Sequence, residues 1–384
     1  MTASLRIAML GTRGVPATYG GVERAVEELS ARLVERGHAV TVYCRSQYCE
    51  TRQPVHRGAK LEYLPAVDTK HLEAISHTTL ATLSALAHRF DIIHYHGTGP
   101  SLLAFLPRVL GRHVVVTVQG LDYQRAKWDW FASQVLRAGA WSSAHVPHRT
   151  IVVSRRLQRH FLERYGISTT YIPNGVELPA ETEHPPPLGL QRRGYLLFLG
   201  RLVPEKGIHL LIRAFRDLET TVPLVIAGPS SHSDSYVAEL HREAAGDDRI
   251  HLVGPAYGDF KDALFANALA FCQPSDLEGL PLTLLEAMSW KCPPIVSDLP
   301  EHLEIVQGHG QRAGVVFKRG EASSLREALS ALIALQPDEL NGEGSVAQRI
   351  VAEHYSWDDI AVTVENTYFD LLRRSGGHLA GAEA

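Results

Sequence analysis

The chain has 384 residues, with 45% apolar and 21% charged side chains, and at about 150 residues per domain that length favours two domains. Such a composition excludes a disordered chain, a collagen and a small disulfide scaffold. The 38 basic and 42 acidic residues leave a net charge of −4, so no overall basic field points to nucleic acid.

Short β-branched runs alternate with helical patterns from the start. The expected strands of the first half are Leu5–Leu10, Ala39–Cys44, Asp91–Tyr95, Val114–Gln119, Thr150–Val153 and Thr170–Ile172. They are near-continuous apolar runs, as parallel strands covered on both faces require. Helices are expected at Val22–Glu35, His71–Ala87 and Arg155–Tyr165. The pattern pauses at Pro173-Asn174-Gly175 and Pro185-Pro186-Pro187, a turn and a stiff linker. It restarts with strands at Tyr195–Leu199, Leu224–Ala227, Ile250–Val253, Ala270–Gln273 and Pro294–Val296, between helices such as Ile208–Leu218 and Leu282–Trp290. A last helix, Trp357–Arg374, follows the second set. Strand–helix–strand repetition predicts two doubly wound parallel sheets, with ligands at the carboxyl ends of the strands, in a cleft between the two halves.

Cys44, Cys49, Cys272 and Cys292 form no C-x-x-C pair and read as reduced thiols, which predicts a cytoplasmic protein. No apolar stretch reaches the roughly 18 residues of a spanning helix. The run before Gly11 is too short for a secretory leader.

After the first strand comes Gly11-Thr12-Arg13-Gly14-Val15-Pro16-Ala17-Thr18-Tyr19-Gly20-Gly21-Val22-Glu23. Glycines before a helix suit a phosphate or a plain turn, and both readings stay open. The dinucleotide fingerprint and the P-loop are absent, which argues against a nicotinamide oxidoreductase. His94-Tyr95-His96 puts two imidazoles on one face of a strand near its carboxyl end. With no clear third ligand, and no D-x-D to hold magnesium, no metal is expected.

The second half is more specific. Gly200-Arg201-Leu202-Val203-Pro204-Glu205-Lys206-Gly207 places two cations in a strand-to-helix loop, and Lys206 is one of only seven lysines. Such a pair can neutralise a diphosphate. In Pro274-Ser275-Asp276-Leu277-Glu278-Gly279-Leu280-Pro281-Leu282-Thr283-Leu284-Leu285-Glu286-Ala287-Met288, the amides of Gly279, Leu280, Leu282 and Thr283 gather at a helix start. Glu278 and Glu286, eight residues apart, can grip two parts of one extended ligand. The helix dipole alone favours Glu278, but not Glu286.

These two stretches, with the closing Tyr355-Ser356-Trp357, resemble the family 4 retaining glycosyltransferases of GT-B fold, over nearly the whole chain. The amino-terminal G-T-R-G-V-P-A-T-Y-G-G-V-E is similar to bacterial rhamnosyltransferase-like enzymes of surface-polysaccharide assembly. The resemblance implies an acceptor-binding Rossmann-like domain at 1–178, a donor-binding one at 179–355, and a helix from 356–384 crossing back to the first. It implies that Arg201 and Lys206 hold a donor diphosphate, Glu278 the transferred sugar and Glu286 the ribose. Val253 and Gly254 would meet the nucleobase, and Gly20 and Gly21 the distal phosphate. The family's histidine before Gly120 is Gln119 here, which can hydrogen-bond but carry no proton. Glu23, His94, His96, Gln119 and Asp122 are the expected acceptor or sugar contacts. The activity implied is metal-independent, retaining hexosyl transfer from a nucleoside-diphosphate sugar, UDP favoured, with no cofactor. A sugar-nucleotide hydrolase or epimerase, and a non-catalytic sugar-nucleotide binder, are the alternatives.

Between Pro100 and Thr170 ten basic residues face only Asp122, Asp129 and Glu163, interleaved with Trp128, Trp130, Phe131 and Trp141. This stretch either seats the first domain on an anionic membrane or forms solvated helices with core-facing aromatics. The acceptor is expected to be a saccharide, lipid-linked or small molecule.

Overall fold

The computed structural model describes residues 3–17, 20–48, 52–69, 72–121, 123, 130–180, 182–230, 233–374 and 376. The chain divides into two compact units. In the first, β1 (Arg6–Leu10), α1 (Gly21–Glu35), β2 (Ala39–Arg45), β3 (Val55–His56), β4 (Ala59–Leu64), α2 (Glu73–Ala87) and β5 (Ile92–His96) come in turn. There follow α3 (Phe105–Val109), β6 (Val114–Val118), α4 (Trp130–His145), β7 (Arg149–Val152), α5 (Arg155–Tyr165) and β8 (Thr170–Tyr171).

Their eight strands lie in the order β3-β4-β2-β1-β5-β6-β7-β8. All neighbours are parallel except β3 and β4, which form an antiparallel edge. β3 and β4 escape the sequence reading because Ala59–Leu64 interrupts its apolar residues with Lys60 and Glu62, the pattern of a half-covered edge rather than a buried strand. The central strands read as expected: every residue of β5 and β6 is buried.

The second unit holds β9 (Leu196–Leu199), α6 (Ile208–Arg216), β10 (Leu224–Ala227), α7 (Asp234–Ala244), β11 (Ile250–Gly254), α8 (Gly258–Asn267) and β12 (Ala270–Gln273). It continues with α9 (Leu282–Ser289), β13 (Pro294–Ser297), α10 (Pro300–Val306), β14 (Val315–Phe317), α11 (Ala322–Ile333) and α12 (Pro337–His354). Its six parallel strands run β11-β10-β9-β12-β13-β14, the doubly wound order whose direction reverses between β9 and β12.

The first unit ends at Asn174, before the expected 178, because Val176 already donates its N–H to Tyr355 O within the second unit, 2.7 Å away. From Trp357 the chain belongs to the first unit again. There α13 (Trp357–Arg374) buries Trp357, Ile360, Val364 and Tyr368 in the core beneath α1, β1 and β2. Glu365 of α13 accepts from Arg36 Nε at 2.9 Å and from His38 Nε2 at 2.8 Å. His38 Nδ1 accepts from Leu5 N–H, so its other nitrogen carries the proton. Cys44, Cys272 and Cys292 are buried free thiols; Cys49 lies outside the described residues. Among the described residues no helix is long and apolar enough to cross a membrane.

Candidate active site

The reversal between β9 and β12 leaves the loops after those two strands side by side, and both specific motifs sit on them. The β9 loop carries Arg201, then a tight turn over Pro204–Lys206, then Gly207. Gly207 has φ 68°, and a Cβ there would lie 2.1 Å from Pro274 O in the β12 loop. Only glycine permits that approach. A second tie runs from Asp276 N–H to Glu205 O at 2.9 Å. Backbone packing therefore delivers Lys206 to Glu278.

Their pairing is close and enclosed: Lys206 Nζ lies 2.6 Å from Glu278 Oε1, with the side chains 13% and 8% exposed. Gln273 Nε2 and Ser275 Oγ donate to the same oxygen, each at 2.7 Å. Burial pushes the Glu278 carboxyl up, but the Lys206 charge and the hydrogen bonds from Lys206 and Ser275 outweigh it and hold it at about 2. Glu278 is thus an ionised carboxylate whose Oε1 takes three hydrogen bonds and whose Oε2 accepts none from the described residues. Beneath it, His302 donates from Nδ1 to Ser297 O, leaving its buried Nε2 without a partner. Burial lowers His302 to about 4, so it is neutral.

Glu286, about one turn into α9, is half-buried and pairs with Lys261 of α8, Nζ to Oε1 3.0 Å. Each glutamate of the motif therefore has a lysine on one oxygen. Pro281 caps α9 from just outside it, and Leu284 and Leu285 donate to its carbonyl. Among the described residues, the amides of Gly279, Leu280, Leu282 and Thr283 reach no backbone acceptor. Val253 and Gly254 end β11, where the register to β10 shifts and Gly254 takes φ 74°.

In the first unit the Gly11 loop closes against the end of β5, since a Cβ on Gly11 would lie 2.5 Å from His96 O. Gly20, at φ 86°, leads into α1, which starts at Gly21. Glu23 is buried in the first turn and accepts from Arg13 N–H at 3.3 Å. Burial raises its pKa against the backbone and Arg13.

The comparisons with known proteins decide the family. A family model described as "Glycosyltransferase Family 4" matches residues 19–179, and one described as "Glycosyl transferases group 1" matches residues 181–343. The chain is a family 4 glycosyltransferase. A phosphatidyl-myo-inositol mannosyltransferase of Mycobacterium leprae is 28% identical over 73% of either chain. O-antigen chain mannosyltransferase C of Escherichia coli is 24% identical over 93% of this chain and 96% of its own. Sucrose-phosphate synthase of Thermosynechococcus elongatus superposes with a TM-score of 0.83 at 20% identity, covering 96% of this chain and 100% of that one. HepE of Anabaena, solved with UDP and glucose, gives 0.76 at 19% identity over 95% and 100%. The two wound sheets are those of the GT-B fold.

Two expected contacts of this glycosyltransferase need correction. His94 and His96 are buried side chains of the first unit, with rings stacked 4.2 Å apart. His94 is fully bonded, to Tyr368 Oη of α13 at 2.6 Å and to Thr117 Oγ1 at 2.7 Å. His96 Nε2 faces Met9 Sδ, and burial lowers its pKa to about 3. Neither ring reaches an acceptor; alternation along β5 turns both into the α13 side of the sheet. Gln119 is half-buried and locked to Asn174 by two amide hydrogen bonds, 2.7 and 3.3 Å. Asp122 lies outside the described residues. Sequence reasoning missed Lys261, Gln273, Ser275, His302 and Asn174 as neighbours of the motif residues. Lysine scarcity was the available signal for Lys261.

Proposed function

We propose that this glycosyltransferase moves a hexosyl group from a nucleoside-diphosphate sugar, UDP favoured, to a saccharide, lipid-linked or small-molecule acceptor, retaining the anomeric configuration without a metal. The observation that carries this reading is the ionised Glu278, paired with Lys206 where the second sheet reverses, beside four amides with no backbone acceptor among the described residues. As the bond from the sugar's C1 to the diphosphate breaks, negative charge grows on the departing oxygen. Arg201, Lys206 and the amides of Leu282 and Thr283 supply preorganised counter-charge. Glu278 Oε2 is left to accept from sugar hydroxyls, and Glu286 from the ribose. Val253 and Gly254 present backbone to the base. The acceptor oxygen bonds C1 on the face the diphosphate leaves, and its proton passes to the departing phosphate. No side chain becomes covalently attached.

The amino-terminal loop favours surface-polysaccharide assembly of the rhamnosyltransferase-like kind, and the buried free thiols fit a cytoplasmic setting. A thermal-shift screen of UDP-, GDP- and dTDP-sugars identifies the donor, since a ligand at a hundredfold excess over its Kd adds about 2.7 kcal/mol. With that donor, Arg201→Ala and Lys206→Ala are each expected to lower kcat by about 10²-fold or more. Near-wild-type turnover in both variants overturns the site. NMR of the product should show the donor's anomeric configuration; released sugar without acceptor would favour a hydrolase.

A further inference from the structure

Helix α4 is built inside out. Its buried face is made of small residues: Gly139, Ala140, Ser142, Ser143 and Ala144. A Cβ on Gly139 would lie 2.2 Å from Thr98 O, so the helix is seated as deeply as backbone allows. Serines lock the seat: Ser101 Oγ lies 2.7 Å from Ser143 Oγ, and Ser142 Oγ donates to Ser101 O at 2.7 Å. The opposite face carries the aromatics. Trp130 is 76% exposed and Trp141 55% exposed. They stand about three turns apart on one side of the helix, with exposed Arg137 between them. A water-facing helix ordinarily has the reverse polarity.

The patch continues onto α5. The Trp141 ring stacks on His145 at 4.6 Å, and His145 meets Tyr165 edge-on at 6.0 Å. Next to Tyr165, Leu162 is 56% exposed. Arg137 of α4 and Arg155 and Arg159 of α5 are exposed, and among the described residues of these two helices Glu163, next to Leu162, is the one acid. Two occupants would use exposed tryptophans. A saccharide needs carboxylates or amides to take its hydroxyls, and among the described residues this surface offers Gln134 of α4 and Glu163 at its edge, against the exposed Arg137, Arg155 and Arg159. An anionic bilayer needs cations for its phosphates and aromatic rings for the headgroup level. The charge selects the second.

We infer that the face of α4 bearing Trp130, Arg137 and Trp141, extended by Leu162 of α5, docks the first unit on an anionic lipid bilayer. The tryptophans lie at headgroup depth and the arginines pair with lipid phosphates. The inference rests on the proposed transferase reading only in its purpose, to bring the enzyme to a lipid-linked acceptor; lipid binding is measured without any acceptor.

The test is flotation of the full chain with phosphatidylcholine vesicles and with vesicles containing phosphatidylglycerol, at low and high salt. Wild type is expected to float with the anionic vesicles only, and to be released by salt. Arg137→Glu and the double variant Trp130→Ala with Trp141→Ala should each cut the bound fraction about tenfold or more. Melting temperature and UDP or GDP affinity by calorimetry should stay at the wild-type values, since these residues lie on the solvent side of α4. Absence of wild-type flotation overturns the inference, as do variants that float like wild type. Loss of saccharide binding in the tryptophan variant, with no vesicle binding by wild type, would make the face an acceptor platform instead. Failure of nucleotide binding in wild type would refute the transferase reading and leave the flotation result standing.

Discussion

At the scale of single residues, the site is a pair of lysine–glutamate contacts with different burial. Lys206 and Glu278 are nearly enclosed, so removing one partner strands a charge. Lys206→Met is expected to cost about 3 kcal/mol in urea denaturation, and Lys206→Met with Glu278→Gln should recover most of that loss. Activity should not return in the double variant, which separates the charge's structural effect from its part in transfer. The Lys261–Glu286 pair is more open, and its weight falls on binding. Lys261→Met is expected to weaken UDP or GDP binding about tenfold by freeing Glu286 to swing, with Lys261→Arg retaining most of it. The loss should shrink for 2′-deoxy nucleotides, which calorimetry can read directly. The roles of Glu278 and Glu286 could be framed from their spacing, one in the loop before α9 and one on the helix. The identity of their lysine partners could not, because Lys206 and Lys261 come from loops and helices 72 and 25 residues away in sequence.

At the scale of elements, close backbone approach decides the geometry. The turn after β9 reaches the β12 loop only because Gly207 lacks a side chain. Gly207→Ala is expected to push the two loops apart, lowering kcat by at least tenfold while costing about 1–3 kcal/mol of stability. Unchanged kinetics would mean that the loop contact does not position Lys206. The same logic placed α4: its small residues find the interior and its tryptophans do not. The sequence offered both orientations of these aromatics, because a helix with a small-residue face and an aromatic face has two places to bury. Only the serine and glycine contacts to Thr98 and Ser101 choose between them. Alternation likewise put His94 and His96 on one face of β5, but which face α13 covers is a tertiary fact.

At the scale of the whole molecule, the two units differ in their acid response. Burial lowers His77 and His148 to about 4 and His96 to about 3, and lowers His94 and His160 as well, all in the first unit. In the second unit burial lowers His302 to about 4. These groups are neutral when folded, whereas the unfolded chain takes up protons near 6.5. The stability they allow is complete above 6.5 and is lost as pH falls toward 4. Glu278, held at about 2 against an ordinary 4.5, loses its contribution only below 4.5. Between pH 6.5 and 4.5 the first unit should therefore soften before the second. Hydrogen exchange at pH 7 and pH 5, corrected for intrinsic rates, checks this; equal softening would contradict it.

The sequence by itself determined two wound parallel sheets, the pause between them, and the motif E-x7-E with its upstream arginine and lysine. These are local properties: apolar periodicity, glycines at turns, and spacing across one loop and the helix it leads into. The expected two domains follow from length, but the chain's return at Trp357 is fixed by which core takes Trp357, Val364 and Tyr368. The tertiary structure alone decided which charges meet, that His94 and His96 are core groups, and which side of α4 faces water. The reason is the same in each case. Sequence records what each segment can bury, while packing among distant segments settles what it does bury.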